Sequence, residues 1–122
     1  MKKRILVVDD TKDILLNLME LLSMEGFEVL TASNGIDAMA CLEGIVPDLI
    51  ITDWVMPGMD GPAFITAVRK EKRMDAVPIL IFSAKPSEEQ GVKLDDLGAN
   101  QFVLKPSSTE VLLDAIIRLI KP

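Results

Sequence analysis

The sequence predicts an α/β protein, a doubly wound (βα)5 sandwich in which helices cover both faces of a five-stranded parallel sheet. Five short apolar runs alternate with longer segments of helical periodicity, which is the pattern of repeated βα units. Several runs also lack the apolar–polar alternation of a half-exposed strand, so both faces of those strands are expected to be covered. The chain has 122 residues, enough for one compact core, and we expect a single domain over residues 1–122.

The five apolar runs, which are rich in Val, Ile and Leu, predict the strands. The first, third and fourth runs are apolar at consecutive positions, which is typical of strands buried on both faces. Right-handed crossovers between parallel strands then place helices on both sides of the sheet. The predicted strands span residues 5–8, 29–32, 49–52, 79–82 and 102–104.

Three helices follow from periodicity and from the signals that end helices. Leucine and isoleucine recur at helical spacing over residues 11–24, and Gly26 stands where a left-handed residue would end that helix. Residues 35–43 and 61–70 predict the second and third helices. The charged run 69–73 is expected to be a solvated helix end, with positive charge where the helix dipole favours it.

Capping boxes predict the starts of the last two helices. In each box a serine hydroxyl stands three residues before a Glu or Gln that can reach back to the serine backbone. The two pairs are Ser87 with Gln90 and Ser107 with Glu110. We therefore expect the fourth helix to open at Ser87 and the fifth at Ser107.

The composition excludes several kinds of chemistry. Thirteen Lys and Arg against nineteen Asp and Glu give a net charge of -6, so we expect no direct nucleic acid binding and no membrane contact. The sequence has no His, which removes imidazole bases, His metal ligands and an internal phosphohistidine. Cys41 is the single cysteine, so an internal disulfide and a paired-cysteine zinc site are excluded. No apolar stretch approaches the roughly 18 residues of a spanning helix, and we expect a cytoplasmic protein.

Reactive polar groups follow four of the five predicted strands. Asp9 and Asp10 follow the first strand, and Asp53 follows the third. Ser83 follows the fourth strand and Lys105 the fifth. Each residue alone has an ordinary structural explanation, such as a helix cap or a solvated charge. In a doubly wound sheet, however, the carboxyl ends of the strands form the functional crevice, so these groups are expected to converge there.

Three carboxylates in one crevice repel one another unless a cation lies between them. Because only oxygen ligands are present, a hard ion such as Mg²⁺ fits the site best. Asp53 is the best candidate nucleophile, since it ends a covered strand and is followed by a turn that exposes its side chain at the sheet edge. Its attack on phosphorus would give an aspartyl phosphate. The metal and Lys105 would then neutralise the phosphoryl oxygens, and Ser83 would hydrogen-bond to them.

Six short motifs lie at or beside the strand ends: Asp9-Asp10, Asp53 with Met56-Pro57-Gly58, Ser83-Ala84, Leu97-Gly98-Ala99, Phe102 and Lys105-Pro106. These motifs resemble those of the receiver domain of two-component response regulators, and the resemblance covers the whole chain as one receiver domain. It implies the strand order 2-1-3-4-5 of the chemotaxis regulators. It also implies a signalling phosphoacceptor that receives its phosphoryl group from a sensor histidine kinase or a histidine phosphotransfer protein. Such a protein is not an enzyme beyond assisting its own phosphorylation and dephosphorylation.

The resemblance also implies a role for each of these positions. Asp53 would be the phosphoacceptor, and Phe102 would be an aromatic rotamer switch. A downstream target would dock on helix 4, strand 5 and helix 5. Mg²⁺ would be held by the carboxylates of Asp9, Asp10 and Asp53 and by the backbone carbonyl of Val55. Phosphoryl binding and switching would fall to Ser83, Ala84, Phe102, Lys105 and Pro106.

Two positions depart from a pattern that favours rapid dephosphorylation. Val55, two residues after Asp53, is apolar and cannot orient an attacking water. Lys85, two residues after Ser83, adds a cation beside the phosphoryl site. We therefore expect these two side chains to tune the lifetime of the phosphorylated form, and to make it long.

Three alternatives stay open from the sequence. A phosphatase of the haloacid dehalogenase type also forms an aspartyl phosphate, but it needs an Asp-x-Asp spacing where Asp9 and Asp10 are adjacent. A flavodoxin-like nucleotide binder needs a phosphate loop at the same place, where these acids would repel phosphate unless a metal intervened. A non-catalytic, receiver-like binding module is the third interpretation, although every phosphorylation position is filled.

Overall fold

The structure is a computed structural model that describes residues 2–84 and 94–120. Within this part of the chain, strands and helices alternate as the sequence predicts. The strands are β1 Arg4–Val8, β2 Glu28–Ala32, β3 Leu49–Thr52, β4 Ile79–Ser83 and β5 Gln101–Leu104. The helices are α1 Lys12–Met24, α2 Gly35–Leu42, α3 Gly61–Arg69, α4 Leu94–Leu97 and α5 Thr109–Ile120, with a short 3-10 turn at Lys72–Met74.

The strands form one parallel sheet in the order β2-β1-β3-β4-β5. This confirms both the predicted fold class and the strand order that the resemblance implies. Every residue of β3 and β4 is buried, as are four of the five residues of β1. The edge strand β2 is only half-buried over most of its length. The uninterrupted apolar runs therefore mark the central strands, because helices cover these strands on both sides.

Two apolar layers hold the sheet between its helices. One layer packs α2 and α3 against the sheet through residues such as Leu42, Phe64 and Ile65. The other layer packs α1 and α5 against the opposite face through residues such as Leu22 and Ile116. Since side chains alternate along a strand, neighbouring residues of β1 point into different layers. None of the helices in residues 2–84 and 94–120 is long and apolar enough to cross a membrane.

The helix ends confirm one predicted cap and correct another. Gly26 has a φ of 93°, the left-handed conformation expected after α1. At α5 the capping residue is Ser108 and not Ser107, because the Ser108 hydroxyl accepts the Val111 N–H at 3.2 Å. The Ser107 hydroxyl instead donates to the Ser108 carbonyl at 3.1 Å. Three hydroxyl residues in a row make the capping register ambiguous in the sequence. The predicted capping box at Ser87 lies outside the described residues.

The charged run 69–73 is not simply a solvated helix end. Arg69 is half-buried, and its guanidinium donates to the carbonyl of Gly98 at 2.9 Å, the carbonyl of Met74 at 2.8 Å and Asn100 Oδ1 at 3.2 Å. Arg73 donates to the Leu42 carbonyl at the end of α2. These two side chains thus bind backbone carbonyls at the edge of the molecule opposite the strand ends that carry the acids.

Candidate functional site

The register of the sheet brings the predicted site residues to one edge. Val8 and Thr52 are paired in β1 and β3, so Asp9 and Asp53 leave the sheet side by side. On the other side, Ser83 pairs with Leu104, and the Lys105 N–H extends that ladder by donating to the Ser83 carbonyl at 2.8 Å. The convergence at the carboxyl ends of the strands, predicted from the sequence, is therefore confirmed.

Three carboxylates form the centre of the site. One oxygen from each of Asp9, Asp10 and Asp53 lies within 4.8 Å of the others. Asp9 is 2% exposed, Asp53 is half-buried and Asp10 is exposed, so the cluster runs from the sheet edge to the surface. Asp9 Oδ1 accepts the Thr11 N–H at 2.9 Å, which fixes the carboxylate at the start of α1.

Asp53 is held by both its own turn and its neighbours. Its Oδ1 atom accepts the backbone N–H of Trp54 at 2.7 Å, while Oδ2 lies 3.3 Å from Lys105 Nζ. The turn closes where the Gly61 N–H donates to the Trp54 carbonyl at 2.8 Å. A Cβ atom on Gly61 would lie 2.5 Å from the Asp53 carbonyl oxygen, so glycine permits the close approach of α3. The carboxylate is thereby presented in one orientation.

Lys105 supplies the positive charge of the described site. Its Nζ atom lies 2.6 Å from Asp9 Oδ2 as well as 3.3 Å from Asp53 Oδ2. The lysine side chain is only 12% exposed, and an ammonium so far removed from water interacts strongly with its partners. The face of the Phe82 ring also lies beside this ammonium, with its centroid 5.3 Å from Nζ. Neither the Trp54 N–H nor the Phe82 ring was predicted from the sequence to lie at this site.

The donor set meets the requirements of a hard divalent cation. All the candidate ligands are oxygens, and three carboxylates with one ammonium leave two negative charges uncompensated. Among residues 2–84 and 94–120, no ion pair involves Asp10, so its carboxylate remains available as a ligand. Mg²⁺ therefore fits the residues present.

The other predicted site residues lie around this centre. Ser83 is the last residue of β4 and is 2% exposed; Ala84 follows it at the surface. Phe102 is half-buried in β5 and packs against the layer that contains α2 and α3. Pro106 follows Lys105 through a cis peptide bond. Val55 is 59% exposed. Lys85 lies outside the described residues.

The fold and the acidic edge together define the class of receiver domains from two-component signalling. Residues 5–117 match the family model of the response regulator receiver domain. The chain therefore belongs to the response regulator receiver domain family. This assignment rules out the phosphatase and nucleotide-binding alternatives as family assignments.

Relatives and solved structures agree with that assignment. Protein PilH of Pseudomonas aeruginosa is 34% identical over 113 residues, which are 93% of each protein. The chemotaxis protein CheY4 of Vibrio cholerae has a TM-score of 0.92 at 33% identity, covering 98% of this chain and 99% of its own. The response regulator TrrA of Thermotoga maritima, solved in complex with Mg²⁺-BeF, has a TM-score of 0.84 at 34% identity, covering 96% and 98%.

Other relatives are much longer than this chain. It spans 8% of the hybrid signal transduction histidine kinase D of Dictyostelium discoideum, at 36% identity. It spans 55% of the phosphate regulon transcriptional regulatory protein PhoB of Rhizobium meliloti, at 34% identity. Receiver domains thus occur in these relatives as parts of larger proteins.

Proposed function

We propose that Asp53 accepts a phosphoryl group from a phosphohistidine on another protein, and that residues 1–122 act as one receiver domain in a phosphorelay. The observation that carries the proposal is the fixed Asp53 carboxylate, with one oxygen on the Trp54 N–H and the other facing Lys105. A carboxylate held in this way presents lone pairs to an incoming phosphorus without first having to reorient.

The transfer exchanges one bond to phosphorus for another. A carboxylate oxygen of Asp53 forms the new P–O bond while the P–N bond of the phosphohistidine breaks, and the electron pair of that bond goes to the imidazole nitrogen. The leaving imidazole takes a proton from solvent. Lys105 neutralises charge on the phosphoryl oxygens during the exchange. Since residues 1–122 contain no His, the phosphohistidine lies outside this sequence, and the donor that we propose is a sensor histidine kinase or a histidine phosphotransfer protein.

Mg²⁺ belongs to the same proposal. When bound, the ion neutralises charge on the phosphoryl oxygens and orients them for transfer. The clustered oxygens and the uncompensated charge of the site support this cofactor, as does the Mg²⁺-BeF complex of TrrA. The residues that would hold the ion are Asp9, Asp10 and Asp53 through their carboxylates and Val55 through its backbone carbonyl.

The output of the phosphorylated chain is a change in its docking surface. A phosphoryl group adds about -1.5 to -2 charge next to Lys105 and favours the state in which donors close around it. Ser83 and Ala84 would bind the phosphoryl oxygens beside Lys105 and Pro106, and the half-buried Phe102 would turn inward. The target would then read the surface of α4, β5 and α5. We place this exchange in the cytoplasm and assign the chain no other catalysis.

The direct test is phosphorylation by a small acyl phosphate in the presence of Mg²⁺. We expect the wild-type mass to rise by one phosphoryl group, which hydroxylamine removes, and we expect no rise when Mg²⁺ is chelated. Asp53→Asn should abolish the modification, whereas Asp114→Asn makes the same chemical change at an exposed carboxylate of α5 and should preserve it. Wild-type modification of Asp53→Asn would refute the assignment. A folded wild-type protein that is never modified would favour the non-catalytic binding module.

A further inference from the structure

Within residues 2–84 and 94–120, the ammonium of Lys105 has two ion-pair partners, which belong to the site chemistry, and one aromatic neighbour, which does not. Asp9 and Asp53 pair with the ammonium, and the ring of Phe82 lies against another side of it, 5.3 Å from Nζ to the centroid. That distance is within the roughly 6 Å at which a cation is attracted by the negative face of an aromatic ring. Because the lysine is 12% exposed, water competes little with this attraction.

The register of the sheet explains why this pair forms. Phe82 in β4 pairs with Val103 in β5, and Lys105 lies two residues beyond Val103. Residues two apart on a strand point to the same face, so Lys105 is the diagonal neighbour of Phe82. The separation of 5.3 Å between Nζ and the ring centroid shows that the two side chains reach each other across this diagonal. The Lys105 N–H bond to the Ser83 carbonyl holds the two backbones in that register.

Open space lies beside the pair. A surface cavity of about 480 Å³ opens between α1, α5 and the segment that joins β5 to α5. The side chain of Lys105 therefore has room to move away from the carboxylates if nothing retains it. The Phe82 ring lies at the boundary between this space and the acidic edge. Residues that line the cavity include Leu18, Phe82, Lys105, Thr109 and Leu112.

We propose that Phe82 is a positioning residue that keeps the ammonium of Lys105 at the phosphoacceptor site. The inference rests on the proposed function of Asp53. The carboxylates that pair with Lys105 are also the candidate metal ligands and the phosphoacceptor, so their contacts with the lysine must rearrange during the reaction. The aromatic face is the neighbour that stays unchanged. It attracts the ammonium without adding a charge that would compete with the phosphoryl oxygens.

The proposal predicts opposite changes in the phosphorylation rate and in the affinity for Mg²⁺. If the ring holds Lys105 less strongly, phosphorylation becomes slower because the lysine is less often in place. Mg²⁺ binding to the unphosphorylated protein becomes tighter, because the ammonium and the metal compete for the same carboxylates. General damage to the site would instead weaken both.

The test replaces Phe82 by phenylalanines that carry one, two or three ring fluorines, introduced at that single position. Fluorine withdraws the negative charge of the ring face with little change in shape. We expect the phosphorylation rate to fall stepwise, by about fivefold in total, which is ~1 kcal/mol at ~1.4 kcal/mol per tenfold. Mg²⁺ affinity, measured by Trp54 fluorescence, should rise stepwise. The same replacements at Phe64, which is fully buried in the other apolar layer, provide the control.

A spectroscopic measurement on the metal-free protein completes the test. A methylene group over a ring face has proton shifts moved upfield, so the Lys105 protons beside Nζ should lose this displacement in Phe82→Leu and keep it in Phe64→Leu. The role of Phe82 would be overturned if the phosphorylation rate and the Mg²⁺ affinity stayed constant across the fluorinated series. It would also be overturned if the Lys105 protons showed no upfield displacement in the wild type. A wild-type protein that is not phosphorylated would refute the proposed function. The Mg²⁺ titration and the NMR measurement would still show whether the Phe82 ring holds the Lys105 ammonium.

Discussion

Arg69 is expected to be a major source of stability at the edge opposite the acidic site. Its guanidinium binds three acceptors in two separate segments of the chain, Met74 before β4 and both Gly98 and Asn100 before β5. Asn100 Oδ1 also accepts the Ile79 N–H at 2.9 Å at the start of β4. Burial lowers the pKa of the Arg69 guanidinium and nearby Asp75 partly opposes that change, yet the group stays charged at neutral pH. One side chain thus connects α3 with the segments that precede β4 and β5.

Arg69→Met removes these three bonds and keeps the length of an apolar side chain. An intramolecular hydrogen bond contributes about 1 kcal/mol net, and water can replace part of the contact at a half-buried group. We therefore expect the free energy of unfolding to fall by about 2 to 3 kcal/mol, a large fraction of the stability of a small domain. Arg69→Lys retains the charge but lacks the planar fork, so it should recover only part of the loss.

The assay is equilibrium unfolding in urea, followed by the far-UV circular dichroism of the wild type and the variants. Lys70→Met is the matched control, because Lys70 is the exposed neighbour in the same charged run and its side chain forms no hydrogen bond or ion pair within residues 2–84 and 94–120. It should change stability by less than about 0.5 kcal/mol. Equal losses for Arg69→Met and Lys70→Met would refute the reasoning and restore the interpretation of a solvated helix end.

Three further predictions concern the site itself. Gly61→Ala should lower the free energy of unfolding by about 1 to 3 kcal/mol and slow phosphorylation, because the new Cβ would displace the Asp53 backbone. Gly44→Ala is the control: its Cβ would meet no atom within 4 Å, so it should be neutral in the same urea and phosphorylation assays. Lys105→Met should tighten Mg²⁺ binding in a Trp54 fluorescence titration, since it removes the competing ammonium; unchanged or weaker binding would contradict that competition. Val55→Asn should speed loss of the phosphoryl group several-fold, a change of roughly 1 kcal/mol in barrier, because the amide can orient an attacking water. Equal decay rates of the wild type and the variant after donor removal would exclude a role of Val55 in the lifetime.

The sheet and its acidic edge could be predicted because both depend on short-range patterns. Strands buried on both faces read as nearly continuous apolar runs, and β1, β3 and β4 each contain such a run beside one polar residue at an end. Once parallel strands are inferred, their carboxyl ends lie at one edge of the sheet, so Asp9 and Asp53 are expected at the same edge. That they lie side by side depends on the strand order, which the family resemblance supplied. The strand limits differ by one residue at β1, β2, β4 and β5. These small differences arise because the ladder extends to a polar residue, such as Ser83, that apolar patterning does not include.

Long-range polar contacts were not predictable in the same way. Nothing in the charged run distinguishes Arg69, which bonds across 29 residues to Gly98, from Lys70, which is exposed. Arg69 and Lys70 differ because only one of them lies on the side of α3 that faces the segment before β5. Helix periodicity predicts which side of a helix is buried, but it does not predict which residues that side contacts. Likewise, Ser107 and Ser108 offer equivalent caps until the backbone of α5 selects one of them.

Phe82 shows how a core residue can also take part in a polar site. In the sequence it continues an apolar run, and in the structure it is 9% exposed within the layer that contains α1 and α5. An aromatic ring differs from an aliphatic side chain in that position because its face carries partial negative charge that a neighbouring ammonium can use. Leucine would fill much of the same apolar space, and among the described partners of the Lys105 ammonium it would leave the two carboxylates that the proposed reaction must rearrange. The choice of an aromatic residue at the end of β4 therefore links packing of the sheet to the placement of charge at the acidic edge.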